Sequence, residues 1–336
     1  MPESSEEKTM DGDTLLVPAR ANAPVSGGHL MPALFANAPT ETQRAFLEFF
    51  AVTIPNANTR AAYMRDVVRF AQWCDVRSFR LEQITSIHLA AYREEVSREL
   101  SNPSIKRHFS ALRMLFSWFV EKGVLDRNPV REVKTPRFSR SEGKTPAFTP
   151  EEMHQLFESF DTDSIVGLRD RALIGVMAFT FARVEAVVSL RVKDVMAVGR
   201  RTVIRLNEKG GKEREIPCHH TLEEYLDAYI KVAGIEGQPN SVLFRSAIGR
   251  TGKLSEKPIN RTDAYQMIQR RVRDAELRGR FSCHSFRATG ITNYLENGGN
   301  LEMAQWIAGH ADSRTTKLYD RRNHRATLDD IERIRF

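Results

Sequence analysis

Residues 305–320 read QWIAGHADSRTTKLYD, and the reading of this run decides the fold of much that precedes it. Gly309 follows an apolar helical stretch and ends it, because the residue just past a helix takes a left-handed backbone that glycine enters without a Cβ penalty. His310 therefore sits at a break, and Tyr319 stands nine residues further on. Upstream, residues 284–299 (HSFRATGITNYLENGG) predict a helix with His284 and Arg287 three apart near its start, on one face.

Two earlier segments add charged groups. In residues 180–195 (TFARVEAVVSLRVKDV), Arg183 falls between a buried helix and an amphipathic one. In residues 201–218 (RTVIRLNEKGGKEREIPC), Val203, Ile204 and Leu206 lead to a Lys-Gly-Gly turn, which predicts a small β-hairpin with Lys209 and Lys212 at its tip. Other helices are expected from Thr149-Pro150, where Thr149 and Glu152 form a capping box, and again near Thr221, Arg261, Cys283 and Leu301.

Residues 41–133 read as a bundle of about four helices. Phe46, Phe49 and Phe50 begin one apolar face, and Tyr63, Val67, Phe70 and Ala71 form the next, with Asn58 or Thr59 as its cap. Asn102-Pro103-Ser104 starts a long helix that ends at Gly123 and whose polar face carries Lys106, Arg107, His108 and Arg113. Phosphate contact is the functional reading of Lys106, Arg107, Arg113 and Lys212; a solvated face is the ordinary one. Residues 1–40 lack apolar periodicity and read as a disordered tail, and residues 134–147 (KTPRFSRSEGKTPA) read as a basic linker. The second domain then covers residues 148–336, closing with ATLDDIERIRF, where Leu328, Ile331 and Ile334 suit a short docking helix.

Composition sets the outer bounds. At 336 residues and 41% apolar content, the chain supports two cores. Cys74, Cys218 and Cys283 are too few and scattered for a disulfide framework, and His219-His220 lacks the other ligands of a zinc site. The opening MPESSEEK is acidic, and the longest apolar run, from Ala172, is about half a membrane span, so a soluble, intracellular protein is expected. The net charge is +7, but residues 1–40 hold −3, which leaves +10 on the rest and favours a polyanionic partner.

Taken singly, none of these signals is specific. In this order, Arg183, Lys209 on a hairpin, His284-x-x-Arg287, Gly309-His310 and Tyr319 resemble the tyrosine recombinase (phage integrase) family, over residues 41–336. The resemblance implies a mainly α fold with a small β-sheet. It implies a two-domain DNA clamp, with a SAM-like helical core-binding domain and a catalytic domain. It also implies site-specific cleavage and rejoining of double-stranded DNA through a 3′-phosphotyrosine, for integration, excision or resolution of DNA such as mobile elements. A homotetramer on synapsed sites would exchange carboxy-terminal segments, with no cofactor, metal or ATP.

Chemistry explains the residue types. Attack on a phosphodiester adds negative charge, which planar guanidinium groups such as those of Arg183 and Arg287 are suited to clamp. By resemblance, His310 adds a third hydrogen bond, His284 takes the proton of Tyr319, and Lys209, ahead of Lys212, protonates the leaving 5′ oxygen. A phenol of ordinary pKa about 10 needs that help at neutral pH. The chain departs from the family pattern at Ala186, where an acid commonly stands three after the first Arg, and at Ala288, often His. Competing readings are a non-catalytic DNA binder of this fold and a type IB topoisomerase-like enzyme. A carboxylate-metal nuclease finds no acidic cluster, and Gly143-Lys144-Thr145 lacks the context of a phosphate loop.

Overall fold

The computed structural model describes residues 24–25, 29–136, 145–208, 211–320 and 332. The chain divides into two compact units, residues 1–139 and 140–336. The stretch 137–144, most of the expected linker, and the expected docking helix of residues 326–336, save Glu332, lie outside the described residues.

The first unit is helical. A short antiparallel pair, β1 (Pro24–Val25) and β2 (His29–Leu30), precedes α1 (Ala33–Ala36) and α2 (Thr40–Glu48), which runs into a π-helical turn at Phe49–Thr53. Then come α3 (Ala57–Val76), α4 (Ser86–Val96) and α5 (Asn102–Glu121). Two expectations change here. Structure begins before residue 40, because Leu34 and Phe35 are buried and Phe35 stacks on Phe46 with centroids 4.4 Å apart. The cap of α3 is Asn56, whose side chain accepts from the Thr59 N–H; Asn58 and Thr59 lie inside the first turn.

The polar face of α5 is less free than its sequence suggests. His108 is fully buried, with Nε2 2.7 Å from the Tyr92 hydroxyl. Arg107 is half exposed but donates twice to the buried Asp66 at 2.9 Å, and the hydrogen bonds from Arg107 and His108 help to hold that carboxyl below its usual range against the opposing effect of burial. Arg113 donates to the Val133 carbonyl at 2.8 Å, while Lys106 is exposed.

The second unit is built on α7 (Ile165–Thr180), which follows α6 (Pro150–Glu158). The expected capping box at Thr149 and Glu152 is present. The apolar run from Ala172 is a buried helix: Leu173, Ile174, Val176 and Met177 are wholly inaccessible. After α8 (Val184–Val188), β3 (Val195–Val198), β4 (Arg201–Glu208) and β5 (Lys212–Pro217) form an antiparallel sheet with Ile204 opposite Ile216 and Glu208 opposite Lys212. There follow α9 (His220–Val232), a second hairpin of β6 (Arg245–Ala247) and β7 (Leu254–Pro258), α10 (Arg261–Asp274), α11 (Cys283–Glu296), α12 (Leu301–Ala308) and α13 (Ser313–Lys317). His219, with Nδ1 accepting from the Thr221 N–H, caps α9.

One close approach sets how α11 sits on α7. At Gly290 the two helices come so near that any Cβ would overlap the Ala178 carbonyl oxygen and the Phe181 ring. Gly290→Ala must push the helices apart, and we expect a loss of about 1–3 kcal/mol. Urea unfolding checks this; an unchanged midpoint would show that the crossing has slack.

Candidate active site

The carboxyl end of α7 is unusual. Phe181 is a buried aromatic in the left-handed region (φ 53°, ψ 25°), a conformation a bulky residue keeps only when its surroundings enforce it. The resulting turn places Arg183 at the N-cap of α8 and offers the Phe181 carbonyl to Arg287. Arg287 has no accessible surface, and its other terminal nitrogen donates to the Ala308 carbonyl at the end of α12. Its Nε–H is buried without a partner among the described residues.

Just past Ala308, Gly309 takes the left-handed cap (φ 58°, ψ 39°) expected from the sequence. The turn is held from both sides: the His310 N–H donates to Gln305 O, and Gln305 Nε2 donates to His310 O, each at 3.1 Å. The His310 ring lies 2.8 Å, through Nδ1, from Thr316 Oγ1 of α13. Thr316 O accepts from the Tyr319 N–H at 2.9 Å, and Tyr319 O accepts from the Thr292 hydroxyl of α11 at 3.1 Å.

Tyr319 is thereby buried between two imidazoles. Its hydroxyl is 2.9 Å from His284 Nε2, and its ring lies parallel to that of His310 with centroids 6.0 Å apart. Burial, then the nearby guanidinium groups, lowers the pKa of His284 and drives that of His310 down to about 3. Burial also lowers Arg287 to about 10, so it stays charged at neutral pH. Two neutral rings, one within hydrogen-bond reach of the phenol, lie in a field of fixed positive charge.

The structure thus brings together Arg183, His284, Arg287, His310 and Tyr319. Lys209 lies outside the described residues, and of Lys212 only the backbone is described, opposite Glu208. Two further charged residues belong to this cluster and were missed. Glu208, at the end of β4, accepts from Arg183 through Oε2 and from Arg214 through Oε1, the latter at 2.7 Å. Arg214, on β5, also donates to the Trp306 carbonyl at 3.0 Å and to that of Ile307. Hairpin register alone places 208 and 214 near one another, but nothing local in the sequence ties either to residues 183 or 306.

Known proteins share both the sequence pattern and the fold. Residues 146–325 match the phage integrase family profile, and residues 45–123 match the N-terminal SAM-like domain of phage integrases. The chain is 29% identical over 283 residues to tyrosine recombinase XerD of Pseudomonas aeruginosa, covering 82% of this chain and 89% of that protein. Among solved structures, the fold is similar to XerH site-specific recombinase bound to palindromic difH substrate in a post-cleavage complex. The TM-score is 0.62 at 21% identity, over 77% of this chain and 75% of the other. It is also similar to a lambda integrase tetramer bound to a Holliday junction, with TM-score 0.64 at 16% identity over 85% and 80%.

The chain belongs to the phage integrase family. It is a tyrosine recombinase, an enzyme of site-specific recombination that cleaves and rejoins DNA through a tyrosine intermediate.

The histidines give the site a pH signature. An exposed imidazole has a pKa near about 6.5, so between that value and about 3 the unfolded chain takes up a proton at His310 that the folded chain refuses. The stabilisation is present above the unfolded value and drains away as pH falls through this window. We expect the melting temperature to drop from pH 7 to pH 4, and less steeply in His310→Asn. Equal slopes in the two proteins would rule out His310 as a contributor.

Proposed function

We propose that Tyr319 is the nucleophile, that Arg183, Arg287 and His310 bind the scissile phosphate, and that His284 takes the phenolic proton. The observation that carries this reading is the 2.9 Å approach of the Tyr319 hydroxyl to His284 Nε2, on the helix that also carries Arg287. Attack at phosphorus forms the Tyr319–3′-phosphate bond and releases the 5′ oxygen, which needs a proton; Lys209, next to Glu208, is proposed to donate it. The phosphotyrosine conserves the bond, so a 5′ hydroxyl from a partner strand reverses the step without ATP, metal or other cofactor. The unpartnered Nε–H of Arg287 supports phosphate binding, because a buried donor without an acceptor costs about 1–3 kcal/mol until an oxygen reaches it.

Incubation with nicked duplex DNA carrying a candidate site, in the presence of chelator, should yield a denaturation-resistant adduct that Tyr319→Phe abolishes. A protein that binds and bends this DNA without forming the adduct would be a binder of the same fold instead.

Synapsis is proposed to use a homotetramer in the bacterial nucleoid, with the segment 326–336 of one copy docking on the next. A groove of about 1010 Å³ in the second unit, lined by Met153, Phe157, Phe179, Tyr294, Met303 and Trp306, suits the apolar stripe Leu328, Ile331 and Ile334. Met303 and Trp306 are half exposed there, 48% and 51%. Deletion of residues 326–336 should abolish paired complexes in gel-shift assays while sparing single-site binding; recombination by the truncated chain at the full rate would exclude this docking. On the first unit, Lys106 is the freest candidate for a DNA-backbone contact, whereas Arg107 and Arg113 would share their donors with Asp66 and Val133.

A further inference from the structure

The helix that begins at the first catalytic arginine carries no acid facing the site. Ala186 is buried three residues after Arg183, and the adjacent Glu185 is exposed. The carboxylate that reaches Arg183 comes from Glu208, whose side chain is 4% exposed, too little for solvent to offset its charge. Burying such a group is costly unless it is paired, and here each oxygen meets a guanidinium.

The second partner extends the contact across the fold. Arg214, 9% exposed, grips the final carbonyls of α12, and a Cβ on Gly309 would stand 2.8 Å from its Nε. Gly309 is therefore required twice, for its left-handed backbone and for the space Arg214 occupies. Glu208 thus touches Arg183 itself and, through Arg214, the helix end that presents His310. It is also the last residue of β4, immediately before Lys209.

Charge gives the pair a second consequence. Arg183, Arg214 and Arg287 act on one another electrostatically, and Glu208 opposes their repulsion. Three formal positive charges and one negative leave a surplus of two. A phosphodiester brings one negative charge and its five-coordinate state two, so the remaining positive charge favours the transition state while Glu208 keeps the arginine cluster tolerable.

We propose that Glu208 is the positioning residue of this active site, supplying from the hairpin the carboxylate that Ala186 does not, and linking Arg183 to the His310 turn through Arg214. This rests on the phosphoryl-transfer reading above. Glu208 touches no reacting atom; it sets the angle of Arg183 and precedes Lys209 directly in the chain.

The test is single-turnover adduct formation on the nicked duplex by the full-length protein, with DNA affinity and melting temperature measured alongside. Glu208→Gln should slow the adduct about 10- to 100-fold, as removal of the outer partners of metal-ligating residues does, with near-normal DNA affinity. Glu208→Asp should recover part of the rate. A scissile methylphosphonate, which presents no anionic oxygen pair for Arg183 to clamp, should narrow the gap between Glu208→Gln and wild type. A gap just as wide on that substrate, or a Glu208→Gln rate equal to wild type on ordinary DNA, would overturn the proposal and leave the recombinase reading intact. Should Glu208→Gln unfold, Glu208→Asp decides: a slower rate at a normal melting temperature supports the role, and a wild-type rate refutes it. A wild-type protein that forms no Tyr319 adduct defeats the catalytic assignment and this inference together.

Discussion

The guanidinium of Arg287 is the contact on which the second unit's site depends. It is wholly buried, and its terminal nitrogens donate to the last carbonyls of two helices, at Phe181 beyond α7 and Ala308 in α12. Helix carboxyl ends carry partial negative charge, so one cation satisfies a carbonyl at each of two ends. Arg183 lies two residues past the first carbonyl and His310 two past the second. The same fork therefore sets the spacing of both. A lysine, with a single ammonium in place of a planar fork, has no equivalent geometry.

The electrostatics derive from that arrangement. Burial and the surrounding guanidinium groups disfavour protonation of His284 and His310, so the rings stay neutral where solvent-exposed ones would begin to charge. A neutral His284 can accept the Tyr319 proton, and the field that keeps it neutral is also the one an incoming phosphate meets. On the proposed roles, clamp and base are in this sense one property of the cluster. The carboxylate of Glu208 limits that field, because without it Arg183, Arg214 and Arg287 would repel one another with no opposing charge.

Much of this was legible in the sequence because several of the polar groups of the site sit at breaks between elements, and breaks leave local marks. Gly309 announces a left-handed cap, Thr149-Pro150 a helix start, and the Lys-Gly-Gly run a hairpin. His284 and Arg287 share a face by simple periodicity. What escaped depends on contacts between distant segments. Glu208 looked like an ordinary strand residue, and only the packing of the hairpin against α12 shows why it is buried. His108 looked polar for the same reason, since its partners Tyr92 and Asp66 come from α4 and α3. Phe35 lies in a brief apolar run, LMPALFA at residues 30–36, too short a signal to mark a core segment until Phe46 is seen stacked on it.

The proposed nucleophile is held by the protein's own contacts. Tyr319 is fixed through its backbone to Thr292 and Thr316, and through its hydroxyl to His284, so its place is set by α11 and α13. Thr316 also orients His310, which makes that hydroxyl and carbonyl a joint support for the proposed phosphate donor and the proposed attacking residue. Among the described residues, the resting site offers no acceptor to the buried Arg287 Nε–H. On the proposed mechanism a phosphate oxygen supplies it. Preorganisation of this kind needs little movement at the moment of reaction, which is where fixed donors act most strongly on developing charge.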